Sequence, residues 1–214
     1  MNGYIIYHPR RVESTFGDVK VYHDSTQGNQ DPYVWNQQFL HTYCHMTEIS
    51  PEVNHINFWV SGDTFPNFFA LYCDLVFVVE QKIYWSQANL IDDNDPIVDS
   101  HEAFIDHYRW AMYQHLFKKR RRFTLKADPQ RSFQPQDVNQ NLIDIVPFLE
   151  KAGIELKLLR QSLRSGFASK PLRLNTIALD LYEWFSNNSS IKLTGKMLEI
   201  IRKANQQLAS SDLK

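Results

Sequence analysis

Lys118, Lys119, Arg120, Arg121 and Arg122 form an unbroken run of five cations in a chain whose formal net charge is −1. One or two of them can complement the carbonyl end of a preceding helix, where positive charge is favoured. Five exceed that need. A second stretch, Leu156 to Leu179, holds Lys157, Arg160, Arg164, Lys170 and Arg173 and no acid. The first three of these follow an i, i+3, i+7 spacing, a single stripe if the segment is helical. Charge segregated by sign makes a local field, and such a field attracts a polyanion. Nucleic acid or a nucleotide is the expected ligand; an acidic membrane surface and an acidic protein are the other candidates. Lys126, just beyond the run, and Arg10 and Arg11 extend the phosphate-binding set, because a planar guanidinium matches paired oxygens.

Acid–base and metal chemistry have fewer carriers. His8-Pro-Arg-Arg11 sets an imidazole and two guanidiniums just past a strand-like segment, and sites collect at strand ends in mixed folds. In the helix-like stretch 99–117, Glu102, Asp106 and Arg109 share a face with Trp110 and Tyr113. The plain reading is a surface ion pair worth roughly a few tenths of a kcal/mol. The chemical reading is a carboxylate in an aromatic-lined cleft, whose pKa rises with burial. His8 or His107 is then the general base, and Glu102 or Asp106 the acid or a metal ligand. His41-Thr-Tyr-Cys-His45 places two imidazoles four residues apart, the spacing at which a helix shares one metal between them. Thr42 stands where a zinc protease of the H-E-x-x-H type has glutamate. Asp74 is an isolated acid at the head of the most apolar segment.

Missing motifs narrow the field. The seven glycines are too dispersed to cradle a phosphate, so Walker, dinucleotide and nucleophile-elbow motifs are all lacking. There is no C-x-x-C, which argues against zinc ribbons and thioredoxin-like chemistry. The acidic loop Asp92-Asp93-Asn94-Asp95 lacks the turn glycine and distal glutamate of an EF-hand. No motif indicates a cofactor.

The elements that must position these residues follow from patterning. Gly3–Tyr7, Asp18–Tyr22, Asn54–Val60, Asp74–Trp85 and Arg122–Ala127 are strand-like, with β-branched and aromatic residues between turn formers. Helices are expected over Asp31 to Ile49, Phe65 to Tyr72 and Asp99 to Phe117. Pro129 to Pro135 is expected as a linker or surface loop. Beyond it, Asp137–Ala152, Glu155–Ser165, Leu174–Ser186 and Thr194–Leu208 are helical in pattern, with Asn175 and Thr194 as caps.

Charge divides the same way: residues 1–133 carry a net −4 and all eight histidines, and residues 134–214 a net +3. The expected fold is α+β. A mixed sheet with interleaved helices fills 1–133, and an α-helical C-terminal bundle with a basic face fills 134–214. With 214 residues, 43% hydrophobic and a mean hydropathy of −0.43, the chain suits a soluble globular protein. Its longest aliphatic-aromatic run, Leu75–Val79, is far short of the roughly 20 residues a span needs. The amino terminus lacks a secretory pattern, and two cysteines suit buried thiols in a reducing cytoplasm. Three functions fit: a nucleic-acid-binding module, a hydrolase-like enzyme acting on a nucleotide or nucleic acid, and an interaction subunit whose C-terminal helices dock a partner.

Overall fold

The computed structural model describes residues 2–7, 11–24, 40–42, 49–62, 66–84, 123–163, 171–201 and 204. Its centre is a mixed sheet built around three apolar segments. Strand β1 (Gly3–Tyr7) is buried along its whole length. The hairpin strands β2 (Arg11–Phe16) and β3 (Val19–Asp24) pair only with each other among the described residues. Next come β4 (Leu40–Thr42), β5 (Ile56–Gly62), the 14-residue β6 (Leu71–Tyr84), β7 (Phe123–Ala127) and β8 (Phe133–Gln136). The short β9 (Leu172–Arg173) and β10 (Ile191–Thr194) complete the set.

The strand order is β10-β8-β6-β5-β1-β9, with β7 paired to β6 on one side and β4 on the other. β1 runs parallel to β5, and the other pairs are antiparallel. A strand covered on both faces needs no polar alternation, which accounts for GYIIY and LVFVV.

Three short helices, α1 (Val146–Lys151), α2 (Leu156–Ser162) and α3 (Ile177–Asn188), cover one face. There Ile5, Phe58, Val76 and Val78 meet Leu149, Leu159, Ala178 and Phe185. Gly3 marks the closest approach: a β-carbon there would sit 2.5 Å from the Ile56 carbonyl oxygen and 2.8 Å from Ala178 Cβ. The opposite face joins Tyr4, Ile6, Trp59, Leu75, Phe77 and Leu125 to Val21 of the hairpin and Leu198 of a helical segment at 195–201.

Among the described residues the expected C-terminal helical bundle is not formed. The region contributes β8, β9 and β10 to the central sheet, and its helices pack on that sheet, with Phe148 of α1 also meeting Trp184 of α3 at 5.5 Å between ring centres. The 133/134 charge boundary falls inside β8. Helical periodicity was a poor guide because polar side chains compete with the helix for backbone groups. The Asp137 Oδ1 accepts hydrogen bonds from the Asn139 and Asn141 amides, both at 2.8 Å, and Gln140 adopts φ 62°. The helix expected from Asp137 therefore begins only at Val146, with Pro147 in its first turn.

Residues 66–70 are irregular and 71–72 open β6, so no helix runs from Phe65 to Tyr72. Leu40–Thr42 is a strand inside the expected 31–49 helix. The expected surface loop at 129–135 becomes a turn followed by fully buried β8. The helix 99–117 and the acidic loop lie outside the described residues. Thr194 does cap: its Oγ1 accepts the Met197 amide at 3.3 Å.

Glutamine side chains fasten the β2–β3 hairpin to the sheet. In an antiparallel pair alternate residues turn their amides and carbonyls outward, and Asp18, Lys20 and Tyr22 do so here. Gln134 Oε1 accepts the Tyr22 amide at 2.8 Å, and its Nε2 donates to the Tyr22 carbonyl at 2.5 Å. Gln136 Nε2 donates to the Lys20 carbonyl at 2.8 Å. Gln140 takes the Lys20 amide at 2.7 Å and donates to the Asp18 carbonyl at 2.9 Å.

Gln134→Ala strands buried backbone groups and is expected to cost about 2–4 kcal/mol, against about 1 kcal/mol for the more exposed Gln140→Ala. Urea denaturation measures both, and negligible losses in both variants would mean that apolar contacts alone hold the hairpin.

Candidate functional site

Strand β5 has two unlike faces. Ile56, Phe58 and Val60 point to the helices. His55, Asn57, Trp59 and Ser61, at every second position, each bring a hydrogen-bonding group to the other face. Asn57 is wholly buried, its cross-strand neighbours are Tyr4 and Phe77, and neither its amide nitrogen nor its oxygen is hydrogen-bonded. Such a group costs roughly 1–3 kcal/mol.

A register shift adds an acid to this row. Trp59 opposes Leu75 and Val60 opposes Cys73, so Asp74 is the extra residue of a bulge. Its carboxylate is wholly buried, and its Oδ1 accepts the Ser61 hydroxyl at 2.9 Å. Gln134 Nε2 donates to the Asp74 carbonyl at 2.8 Å. A second shift, between Val79 and Gln81, sets Glu80 out of register in the same way. Bulges re-aim side chains and gather near sites. Both of β6's bulges carry acids: Asp74 stood out in the sequence as an isolated acid, whereas the spacing that singled out Glu102 and Asp106 contained no signal for Glu80. A carboxylate interrupting an apolar strand is the trace they leave in the sequence.

Burial sets the titrating groups on both faces of the sheet, Cys73 on the helix side and His55 beside the site. Desolvation, then the Asp74 charge, pushes the Cys73 thiol well above its ordinary value, although the Leu75 backbone opposes this. Burial also lowers His55. Glu52 pulls its pKa back up, and the cations Arg173 and Lys82 push it down. The His55 ring lies 6.2 Å from Tyr4, centre to centre, and its Nδ1 is buried without a hydrogen bond.

The expected phosphate ligands separate. Lys126, on β7, has its ammonium 3.2 Å from the Glu80 carboxylate. Lys157 is exposed on α2. Arg160 donates from Nε to the Phe68 carbonyl at 2.8 Å, and its guanidinium carbon stands 4.8 Å from the centre of the Phe69 ring. Phe123, which follows the cation run, pairs with Tyr84 at one end of β6. Arg160 is bound near the other end, so about 45 Å of strand at the usual rise separates the two attachments.

His8, Arg10, His45, Glu102, Asp106, His107, Lys118, Lys119, Arg120, Arg121, Arg122 and Arg164 lie outside the described residues. Arg11 and His41 are placed by backbone only, in β2 and β4. His41 is on a strand, opposite Leu125, so the shared helical face proposed for His41 and His45 does not apply there. Among the described residues no group of three or more His, Cys, Asp and Glu is placed to hold a metal. No described helix is long and apolar enough to cross a membrane. Comparison with protein-family models, curated proteins and solved structures finds no match.

Two outcomes follow from the buried groups. In a Cys44→Ser background, Cys73 is expected to resist a thiol-specific reagent until denaturant is added, and ready labelling of the native protein would contradict its burial. A histidine held below its ordinary 6.5 favours the neutral form in the folded state. Its contribution is complete above that value and is lost as pH falls through the folded pKa. The melting temperature of the native protein should therefore drop more between about pH 7 and pH 5 than that of His55→Gln. Parallel curves would remove His55 from the pH response.

Proposed function

We propose that the chain is a nucleic-acid-binding module that grips phosphates through Lys118–Arg122, with no catalytic role assigned. The observation that carries this reading is the attachment of the run: five adjacent cations lead directly into β7, which is hydrogen-bonded on both edges, to β6 and to β4. A cationic segment joined to a strand held on two sides starts from a fixed point, which reduces the ordering cost of binding a polyanion. The acid-free stretch from Leu156 to Leu179 supplies a second, separate positive region. The reading places the protein in the cytoplasm, where a reduced, buried thiol such as Cys73 persists.

Fluorescence anisotropy with labelled DNA and RNA oligonucleotides, titrated across salt, tests it. Each phosphate contact contributes about 0.9 to the slope of log K against log salt for duplex, and about 0.7 for single strands. Replacing Lys118, Lys119, Arg120, Arg121 and Arg122 together by glutamine is expected to lower that slope by about 2 to 4 and to weaken binding at low salt. Unchanged affinity and slope in that variant would overturn the reading.

A further inference from the structure

Phe68 and Phe69 are adjacent and have opposite fates. Phe68 is fully buried, while Phe69 keeps 71% of its surface exposed. Phe68 stacks on Tyr7 with ring centres 5.8 Å apart and planes 19° from parallel. It also sits so close to Gly62 that a β-carbon there would come within 2.7 Å of the Phe68 Cβ. This seat fixes the backbone from which Phe69 projects. Arg160 fixes the ring from the other side, through its bond to the Phe68 carbonyl and its guanidinium at 4.8 Å from the Phe69 ring centre. α2 is in turn anchored by wholly buried Leu159. The result is a large aromatic ring, 71% exposed, whose backbone is seated by buried Phe68 and which is backed by the positive charge of Arg160 on α2. Lys157, exposed and one helical turn before Arg160, adds a second cation on that side of the helix.

We propose that Phe69, backed by Arg160, is a stacking platform for an unpaired nucleobase, with Lys157 on the adjoining phosphate. The inference rests on the nucleic-acid reading above and narrows it to a ligand with a single-stranded segment. The chemistry that fits an exposed ring flanked by cations is a flat π-system carrying negative charge. Stacking on aromatic side chains is tolerant of base identity and is reinforced by arginine. Duplex DNA keeps its bases stacked on one another and offers this ring nothing to cover. The Arg160 guanidinium serves here as the support behind the ring rather than as a phosphate ligand.

The test compares a single-stranded oligothymidylate with a duplex of equal length, for the native protein and for Phe69→Ala, Phe69→Trp and Lys157→Gln. Phe69→Ala should weaken single-strand binding about tenfold, leave the salt slope unchanged and leave duplex binding as it was. Phe69→Trp should restore affinity, and its fluorescence should be quenched when single strand binds. Lys157→Gln should lower the single-strand salt slope by about 0.7. Equal single-strand affinity of Phe69→Ala and the native protein would overturn the platform while leaving the cation run intact. Failure of the native protein to bind any oligonucleotide would overturn both. Equal losses on single strand and duplex, with a lowered melting temperature, would assign the Phe69–Arg160 contact to the fold alone.

Discussion

Strand β6 is longer than any strand beside it, and a strand buried in a sheet must satisfy every amide and carbonyl along both edges. No single neighbour can do so over 14 residues. β5 serves one edge from Leu71 to Val78, β7 takes the far half of the other, and β8 meets it at Val76. The remainder is completed from outside the strands: the Cys73 amide donates to the Ile143 carbonyl, and the Asp144 carboxylate accepts the Leu71 amide. A strand drawn along by three partners of different register must shift, and it does so twice. Each shift leaves an acid out of line. The placement of Asp74 against Ser61 and of Glu80 beside Lys126 thus follows from the hydrogen-bond demands of one long strand.

This constraint also explains what could be read from residue order. Apolar β1, β5 and β6 were legible because sterics and burial on both faces leave a local signature. β7 was legible because alternate positions, Leu125 and Ala127, are buried while Lys126 is less so. β8 was not. Its sequence, FQPQ, reads as a polar turn, and its burial depends on glutamines whose partners lie on a hairpin more than a hundred residues earlier. The C-terminal helices misled for a related reason. Their apolar stripes are real but serve a sheet face, and nothing local tells a helix whether its partner is another helix or a sheet. At the candidate site, the strand Asn54–Val60 was legible, but its polar face His55, Asn57, Trp59 and Ser61 was not singled out, since Ser61 falls beyond the expected strand. The bulge that adds Asp74 needed the register of two strands.

The charges show how sequence proximity and spatial role part company. Arg160 belongs to an acid-free stretch, yet its guanidinium is spent on a backbone carbonyl and a phenyl ring. Lys126 follows the cation run, yet has a carboxylate at hand. Lys82 is nearly inaccessible and is held by Glu52 at 2.5 Å and by the Ser50 hydroxyl. Cations that look alike as letters therefore divide into those that hold the fold and those available to a ligand, and only the second kind contributes to an external field.

The glutamine fastening of the hairpin carries a consequence for the order of assembly. The turn at Gly17-Asp18 can close as soon as its few residues leave the ribosome, but the amides that receive it lie 112 to 122 positions further along. Until β8 and the turn after it are synthesised, the glutamine side chains that bind the outward edge of β3 are not yet present. Contacts of such long range close late because loop entropy must be met first. The nascent chain thus carries an early ribbon whose β3 edge is sealed, among the described residues, by amide side chains rather than by another strand that could be confused with a neighbour's.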